Sequence, residues 1–237
     1  MIATGKLRAR ADAGHRITVD IRNLLGDLEV KADERSAVVI PLVLASLDTA
    51  GAMYSLLANR PEEYWMPAVT MRRIQMEYVM RAAFFAKAAN ERELGRFRSK
   101  GVMPKRAKSD GKCRAGQQKT RAISLTQIAR EASHQFGWDE DLLVSKLTSH
   151  YRELSGLIHG GKEVLSIYTM HPGWGVVAID WDDLLDELEN TMVFAQLALG
   201  VAMSLSPLKP ETLSKVVRPV YDRAYSYFDR AGQVRAD

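Results

Sequence analysis

The chain has 237 residues, of which 46% are hydrophobic, an ordinary share for a globular protein with a buried core. Its most membrane-like stretch, Met192–Leu205, is interrupted by polar residues and is shorter than the roughly 20 apolar residues that span a bilayer, so we expect no membrane segment. The net charge of +4 is mild, and the single cysteine, Cys113, excludes a disulfide framework within the chain, as expected in a reducing cytoplasm.

The first part of the chain is predicted to be helical. No apolar run follows the basic residues of the first ten positions, so we expect no signal peptide. Apolar residues recur at three- and four-residue steps, as on one face of a helix, in Ile17–Val30, Ser36–Leu57 and Ala68 to about Leu94. Pro41 is expected in the first turn of the second helix, and residues 62–67 are expected to form a short connector.

The basic charge lies in one segment. Between Arg92 and Arg121, eleven lysines and arginines stand against two acidic residues, so this segment carries +9 and the remainder of the chain −5. From Phe97 to Thr120 the segment loses apolar periodicity and contains glycine and proline, a composition that buries too little surface to offset the entropy lost on ordering. We therefore predict a basic flexible loop at 97–120, inserted in a single helical domain that covers residues 1–237.

The rest of the chain is also predicted to be mainly helical. The expected helices are 124–136, capped by Ser124 or Thr126; 139–158, ended by Gly160-Gly161; 180–204, capped by Asp180 or Asp182; and 211–230, kinked at Pro219. The β-branched segments 164–168 and 176–179 either pair as a small hairpin or remain extended. The fold class is thus predicted to be all-α, a bundle of about six or seven helices, with any short β-hairpin near 164–179.

Common signatures of catalytic, metal and cofactor sites are missing from the sequence. It has no Gly-rich phosphate loop, no His-Glu-x-x-His motif, no paired cysteines and no Gly-x-Ser-x-Gly motif. The five histidines do not stand at metal-ligand spacings. We therefore expect neither a bound catalytic metal nor a cofactor.

A row of three charged residues lies on the helix predicted with the clearest periodicity. Arg73, Glu77 and Arg81 are four residues apart, so their side chains form a ladder along one side of that helix. One interpretation is an ordinary surface row of ion pairs, which would contribute little stability. The other is a partly buried polar seam, in which Glu77 holds Arg81 as a fixed anion-binding group. The bulky apolar neighbours of the ladder favour the second interpretation.

A second group of polar residues lies near the end of the helix predicted at 139–158. Arg152 and His159 are seven residues apart, which places them within about 20° of each other and roughly 10 Å apart along a helix. A histidine that titrates near neutral pH and a nearby fixed cation are suited to metal-free cleavage of a phosphodiester. The alternative is that His159 only caps the helix and that Arg152 is solvated.

Two motifs in these helices resemble known families. Arg152-Glu153-(five residues)-His159 resembles the Arg-x(4–6)-His motif of the HEPN superfamily, the higher eukaryotes and prokaryotes nucleotide-binding domains. The layout over about 36–205 also looks like that of related bacterial helical proteins. These share an Arg-x-x-x-Glu-x-x-x-Arg helix, here Arg73 to Arg81, and a Ser-x-x-x-His-Gly-Gly segment, here Ser155 to Gly161.

The resemblance implies a function in RNA cleavage. Active HEPN members form dimers whose paired Arg-His motifs face a shared cleft, and they cut RNA in toxin–antitoxin or phage-defence systems. By this resemblance, Arg152 would bind the scissile phosphate, His159 would act as general acid or base, and an antitoxin or other partner protein would bind the homodimer. The family commonly has Asn or Asp after the arginine, whereas this chain has Glu153, whose carboxylate would repel RNA unless Arg81 or another cation neutralises it.

The basic segment is a weaker indication of nucleic-acid binding. Its candidate contacts to phosphate are Lys105, Arg106, Lys108, Lys112 and Arg114. Such contacts would be salt-dependent and independent of base sequence. Without interleaved aromatic residues apart from Phe97, base stacking is not indicated, and a solvated loop without function is an equal alternative. The sequence therefore leaves two hypotheses: a metal-independent endoribonuclease, and a non-catalytic helical binding or assembly protein with a polar core seam.

Overall fold

The fold is described from a computed structural model that places residues 2–107, 120–159, 161, 162, 164 and 180–234. Side chains are described within these ranges except at 2, 3, 107, 120, 146–150, 152 and 229–234. The helices are α1 (Ile2–Asp27), α2 (Glu34–Asn59), α3 (Pro61–Ala83), a π-helical turn (Phe84–Ala88), α4 (Glu91–Lys100), α5 (Leu125–Phe136), α6 (Glu140–Ile158), α7 (Trp181–Met203) and α8 (Pro210–Val234). The predicted all-α bundle is confirmed.

The centre of the bundle is α2, which packs against α1, α3 and α7. By length and composition it is the one helix of the described ranges that could cross a membrane. Its apolar residues are nevertheless part of the protein core: Val39, Val43 and Leu57 are fully buried. The apolar character of α2 is therefore accounted for by burial inside the bundle.

Tyr54 of α2 connects three helices at the core. Its hydroxyl donates to the carbonyl oxygen of Leu188 on α7 at 2.9 Å, and its ring lies against the backbone of α1 at Gly14. A Cβ at Gly14 would lie 2.3 Å from the nearest ring carbon, so only glycine leaves room for the tyrosine there. Burial raises the pKa of the Tyr54 hydroxyl well above its ordinary value, which keeps the hydroxyl protonated as a donor.

Both of the first two helices begin earlier than the sequence predicted. The first helix starts at Ile2 rather than at Ile17, and its Leu7 is buried in the core. The part of α1 before Ile17 has few large apolar residues, but Leu7 still gives it a buried side. Pro41 lies about two turns inside α2, because α2 begins at Glu34, and the expectation of a first-turn position is wrong.

The connector expected at 62–67 is also wrong, because these residues belong to α3. Pro61 stands at the first position of α3, where a proline is compatible with a helix, and Glu62 and Glu63 follow in the first turn, where the helix dipole favours negative charge.

The helix predicted to run to Leu94 ends earlier. After Ala83 the chain forms the π-helical turn, and Ala89 is extended. Asn90 then caps α4: its side chain accepts from the amide of Glu93, and the Glu93 carboxylate accepts from the amide of Asn90. This capping box is an Asn-x-x-Glu pattern that was present in the sequence and marks a new helix start.

The basic segment is partly structured. Helix α4 includes residues 97–100 and ends at Gly101, whose φ of 64° is left-handed. Strands β1 (Lys105–Ala107) and β2 (Thr120–Ala122) then pair antiparallel, with Arg106 opposite Arg121. The prediction of a flexible loop at 97–120 is therefore wrong for residues 97–100, 105–107 and 120, and residues 108–119 lie outside the described residues.

The caps predicted in the second half of the chain are largely confirmed. Ser124 caps α5, Asp139 caps α6 and Asp180 caps α7, each by accepting from backbone amides of the first helical turn. Helix α8 contains Pro219 and extends to Val234. The hairpin considered near 164–179 lies outside the described residues, apart from residue 164.

Candidate functional site

The charged ladder forms as predicted, and it lies between two helices. The Glu77 carboxylate accepts from Nε of Arg73 at 3.2 Å and from Nη2 of Arg81 at 2.8 Å. The side chains of Arg73 and Glu77 are only 16% and 22% exposed, because α6 packs against this side of α3. Of the two interpretations of the ladder, the partly buried seam is therefore the one that the structure supports.

Tyr151 of α6 completes the seam from the opposite side. Its hydroxyl accepts from Nη2 of Arg73 at 2.7 Å and donates to Oε1 of Glu77 at 3.3 Å. The Arg73 guanidinium also lies over the Tyr151 ring, with Cζ 4.4 Å from the ring centroid. The two helices are thus joined by a polar contact, in which each charged group of Arg73 and Glu77 has several partners.

His159 stands at the solvent-exposed end of this arrangement. Its Nε2 lies 3.4 Å from Nη1 of Arg73, and the residue is exposed. We name the set Arg73, Glu77, Arg81, Tyr151 and His159 the polar seam. The seam brings together the two groups that the sequence analysis treated separately, the ladder and the histidine.

The local fold of α6 explains the position of His159. The helix continues without interruption through Ser155 and Gly156 to Ile158, and His159 is its C-cap residue. The amide of Gly161 donates to the carbonyl oxygen of Gly156 at 2.7 Å, the 6→1 bond of a Schellman-type helix end. The imidazole therefore projects from the last turn and is not sealed within apolar side chains.

Several candidate residues lie outside what the structure describes. The main chain of Arg152 is helical, so its spacing of about two turns to His159 holds, but its side chain is outside the described part. Lys108, Lys112 and Arg114 are outside it altogether. The cation that lies next to His159 is Arg73 of another helix, which the sequence analysis had not connected with the histidine.

The two described residues of the predicted nucleic-acid set differ from each other. Lys105 is exposed. Arg106 is only partly exposed and forms ion pairs with Glu93 of α4 and Glu131 of α5. The guanidinium of Arg106 therefore joins β1 to two helices, and its contact with phosphate stays a prediction.

A second charged contact, which the sequence analysis missed, lies deeper in the core. Nη1 of Arg72 is 2.5 Å from Oε2 of Glu187 on α7, and the Arg72 side chain is 1% exposed. Burial raises the pKa of Glu187, an effect that the neighbouring Arg72 only partly opposes. Gln75, one turn further, donates to the carbonyl oxygen of Thr191 at 2.9 Å. Arg72 fits the apolar periodicity of α3, and that fit was the available signal of its burial.

Negative charge collects where α6 approaches the start of α7. Burial raises the pKa of Asp183, and so does repulsion from neighbouring carboxylates, among them Asp180 on its own helix and Glu153 on α6. Glu153, the residue after Arg152, thus lies within electrostatic range of carboxylates at the start of α7.

The comparisons with known proteins give no relative. Neither the protein-family models, nor the curated proteins, nor the solved structures include a significant match to this chain. The function is therefore inferred from the geometry of the polar seam.

Proposed function

We propose that the chain is a metal-independent endoribonuclease in which His159 is the acid–base group and the polar seam binds the scissile phosphate. The observation that carries the proposal is the exposed imidazole of His159 next to Arg73, with 3.4 Å between Nε2 and Nη1. The guanidinium of Arg73 places a fixed positive charge beside this imidazole. A neutral imidazole at the solvent face can take a proton while the neighbouring cation stabilises charge on the phosphate.

The reaction that suits these groups uses the ribose as nucleophile. The 2′-hydroxyl attacks the adjacent phosphorus and gives its proton to Nε2 of His159, while the O2′–P bond forms and the P–O5′ bond breaks. The products are a 2′,3′-cyclic phosphate and a 5′-hydroxyl end. Arg73 and Arg81 supply positive charge at the phosphate, and the resemblance adds Arg152 to them.

The leaving oxygen needs a proton from a second acid. In the homodimer that the resemblance implies, the partner subunit's His159 would supply it, so that the two histidines act on one bond. A cytoplasmic toxin or phage-defence protein, kept inactive by an antitoxin or similar partner, is the context that this activity would fit.

His159→Ala tests the proposal directly. The wild-type protein is expected to slow bacterial growth on induction and to cleave RNA in the presence of EDTA, leaving cyclic phosphate ends. His159→Ala should lower cleavage by at least about 100-fold, the lower range for loss of a general acid–base group, and should restore growth. His134→Ala is the matched control, because His134 is an exposed histidine on α5, a helix that carries no residue of the seam.

Three results would contradict the ribonuclease. The first is equal toxicity of the wild type and the His159→Ala variant. The second is loss of RNA cleavage on addition of EDTA. The third is a correctly folded wild-type dimer that leaves RNA intact. Circular dichroism and sedimentation of each variant show whether fold and dimer are retained, so a loss of activity can be assigned to the imidazole.

A second candidate is a non-catalytic binding or assembly protein, and two observations favour it. Arg73 is held by three neighbours, Glu77, Tyr151 and His159, as in a structural joint between α3 and α6. Glu153 lies within electrostatic range of Asp183 at the start of α7, and neighbouring carboxylates do not attract a nucleic acid.

The structural part of this second candidate is tested by Glu77→Ala. The change leaves two part-buried guanidinium groups without their shared carboxylate, so we expect a loss of roughly 1–2 kcal/mol and a Tm lower by about 3–6 °C. Glu63→Ala on the same helix is the control, because its pair with Arg60 is exposed and should contribute less than about 1 kcal/mol. An unchanged Tm in Glu77→Ala would show that the seam does not hold the helices together.

A further inference from the structure

Three basic residues lie along one side of α4. Arg92, Arg96 and Lys100 are four residues apart, so each step advances about 6 Å along the helix and about 40° around it. All three are exposed, whereas Leu94, on the opposite side of α4, is fully buried. We name Arg92, Arg96 and Lys100 the cationic stripe.

Nearby carboxylates are already used by other arginines. The ion pairs around α4 are Arg35–Glu91, Arg106–Glu93 and Arg98–Glu34. Within the part of the chain that the structure describes, no ion pair or hydrogen bond involves the charged group of a residue of the cationic stripe. The acidic residues of this region are therefore paired with arginines outside the stripe, and the charged groups of the stripe face solvent.

The chemistry of the stripe fits a polyanion better than a protein surface. Protein interfaces have a central apolar part with aromatic anchors, and the exposed side of α4 offers only the three cations with Gly95 and Ser99 between them. Contacts to a phosphate backbone need only positive charge at regular intervals and read no base sequence. Aromatic side chains for base stacking are likewise missing from this side of α4.

From these observations we propose that the cationic stripe is the docking surface for the phosphate backbone of RNA. The proposal rests on the proposed ribonuclease function, and it adds a substrate-binding surface beyond the polar seam. The stripe holds the strand through sequence-independent charge contacts, and the seam carries out the chemistry.

The test is RNA binding by full-length variants of equal net charge. Fluorescence anisotropy with a short 2′-O-methyl RNA, which lacks the nucleophilic hydroxyl, measures binding without cleavage. The variant carries Arg92→Gln, Arg96→Gln and Lys100→Gln, and we expect its Kd at low salt to rise at least tenfold. The slope of log Kd against log salt should fall by about 2, since each contact to a single strand contributes roughly 0.7.

The control is Lys6→Gln, Lys209→Gln and Lys215→Gln, which removes the same charge from exposed positions elsewhere. An equal loss of affinity in both variants would mean that only the net charge matters, and an unchanged Kd in the stripe variant would also overturn the proposal. Competition by polyglutamate as strong as by unlabelled RNA would point to an acidic protein partner and would overturn the assignment to RNA.

The outcomes for the stripe and for the ribonuclease can be separated. If the stripe variant loses RNA binding but the wild type never cleaves natural RNA, the RNA-binding role of the stripe is supported and the catalytic proposal fails. If His159→Ala abolishes cleavage while the stripe variant binds and cleaves as the wild type does, the ribonuclease is upheld and the stripe is not. The stripe residues form no ion pairs with described residues, so their replacement should leave the Tm unchanged.

Discussion

Arg72 and Glu187 form the most deeply buried charged contact among the described residues, and they connect α3 to α7. A buried ion pair is weak evidence for stability, but removing one partner leaves the other charge uncompensated. The stability of the core thus depends on this ion pair, which joins two helices that are far apart in the chain.

Arg72→Met is predicted to destabilise the protein by about 3–5 kcal/mol at neutral pH, because the buried Glu187 carboxylate loses the guanidinium that opposes its desolvation. Urea denaturation measures the change. Replacing both residues with Met should recover most of the loss, and a double variant as unstable as the single one would contradict the charge argument.

The raised pKa of Glu187 gives this prediction a pH signature. Between its ordinary value of 4.5 and the raised value, the folded state binds more protons at this carboxyl than the unfolded state does. The contribution of Glu187 to the free energy of unfolding therefore falls as the pH rises through this window. The same slope should be missing from a pH series of Glu187→Gln.

Among the elements, α4 shows that a local sequence pattern can determine where a helix begins. Its start is fixed by the capping box at Asn90, and its packing by Phe97, whose ring centroid lies 4.3 Å from that of Phe85. The apolar periodicity of the preceding helix runs on past this point, so periodicity alone merges two helices into one. The capping pattern was the better guide, because it depends on hydrogen bonds within four residues.

Asn90→Ala should therefore destabilise the protein by about 0.5–2 kcal/mol. The amide of Glu93 loses its side-chain acceptor, and the hydrogen bond from the amide of residue 90 to the Glu93 carboxylate loses the side chain that positions it. Urea denaturation is again the measurement. Ser99→Ala, an exposed change on the same helix, serves as the control and should lie within experimental error of the wild type. Equal stability of both variants would show that α4 is fixed by its packing rather than by its cap.

For the whole molecule, the sequence predicted the fold class and most helix caps, but only part of the site. The Arg73–Glu77–Arg81 ladder follows from helix geometry, because its members are neighbours in the chain. The contact of Arg73 with Tyr151 joins residues 78 positions apart, and the contact with His159 joins residues 86 apart. Periodicity tells which side of a helix is buried but not which other helix covers it, so these partners could not be foreseen.

The pairing of β1 with β2 has a consequence for the engineering of this protein. Ala107 and Thr120 stand opposite each other in the register, so the positions on either side of residues 108–119 lie side by side. A two-residue Asn-Gly turn would close the same gap. A fluorescent reporter whose own ends meet could be spliced there too, at a distance along the chain from both Arg73 and His159.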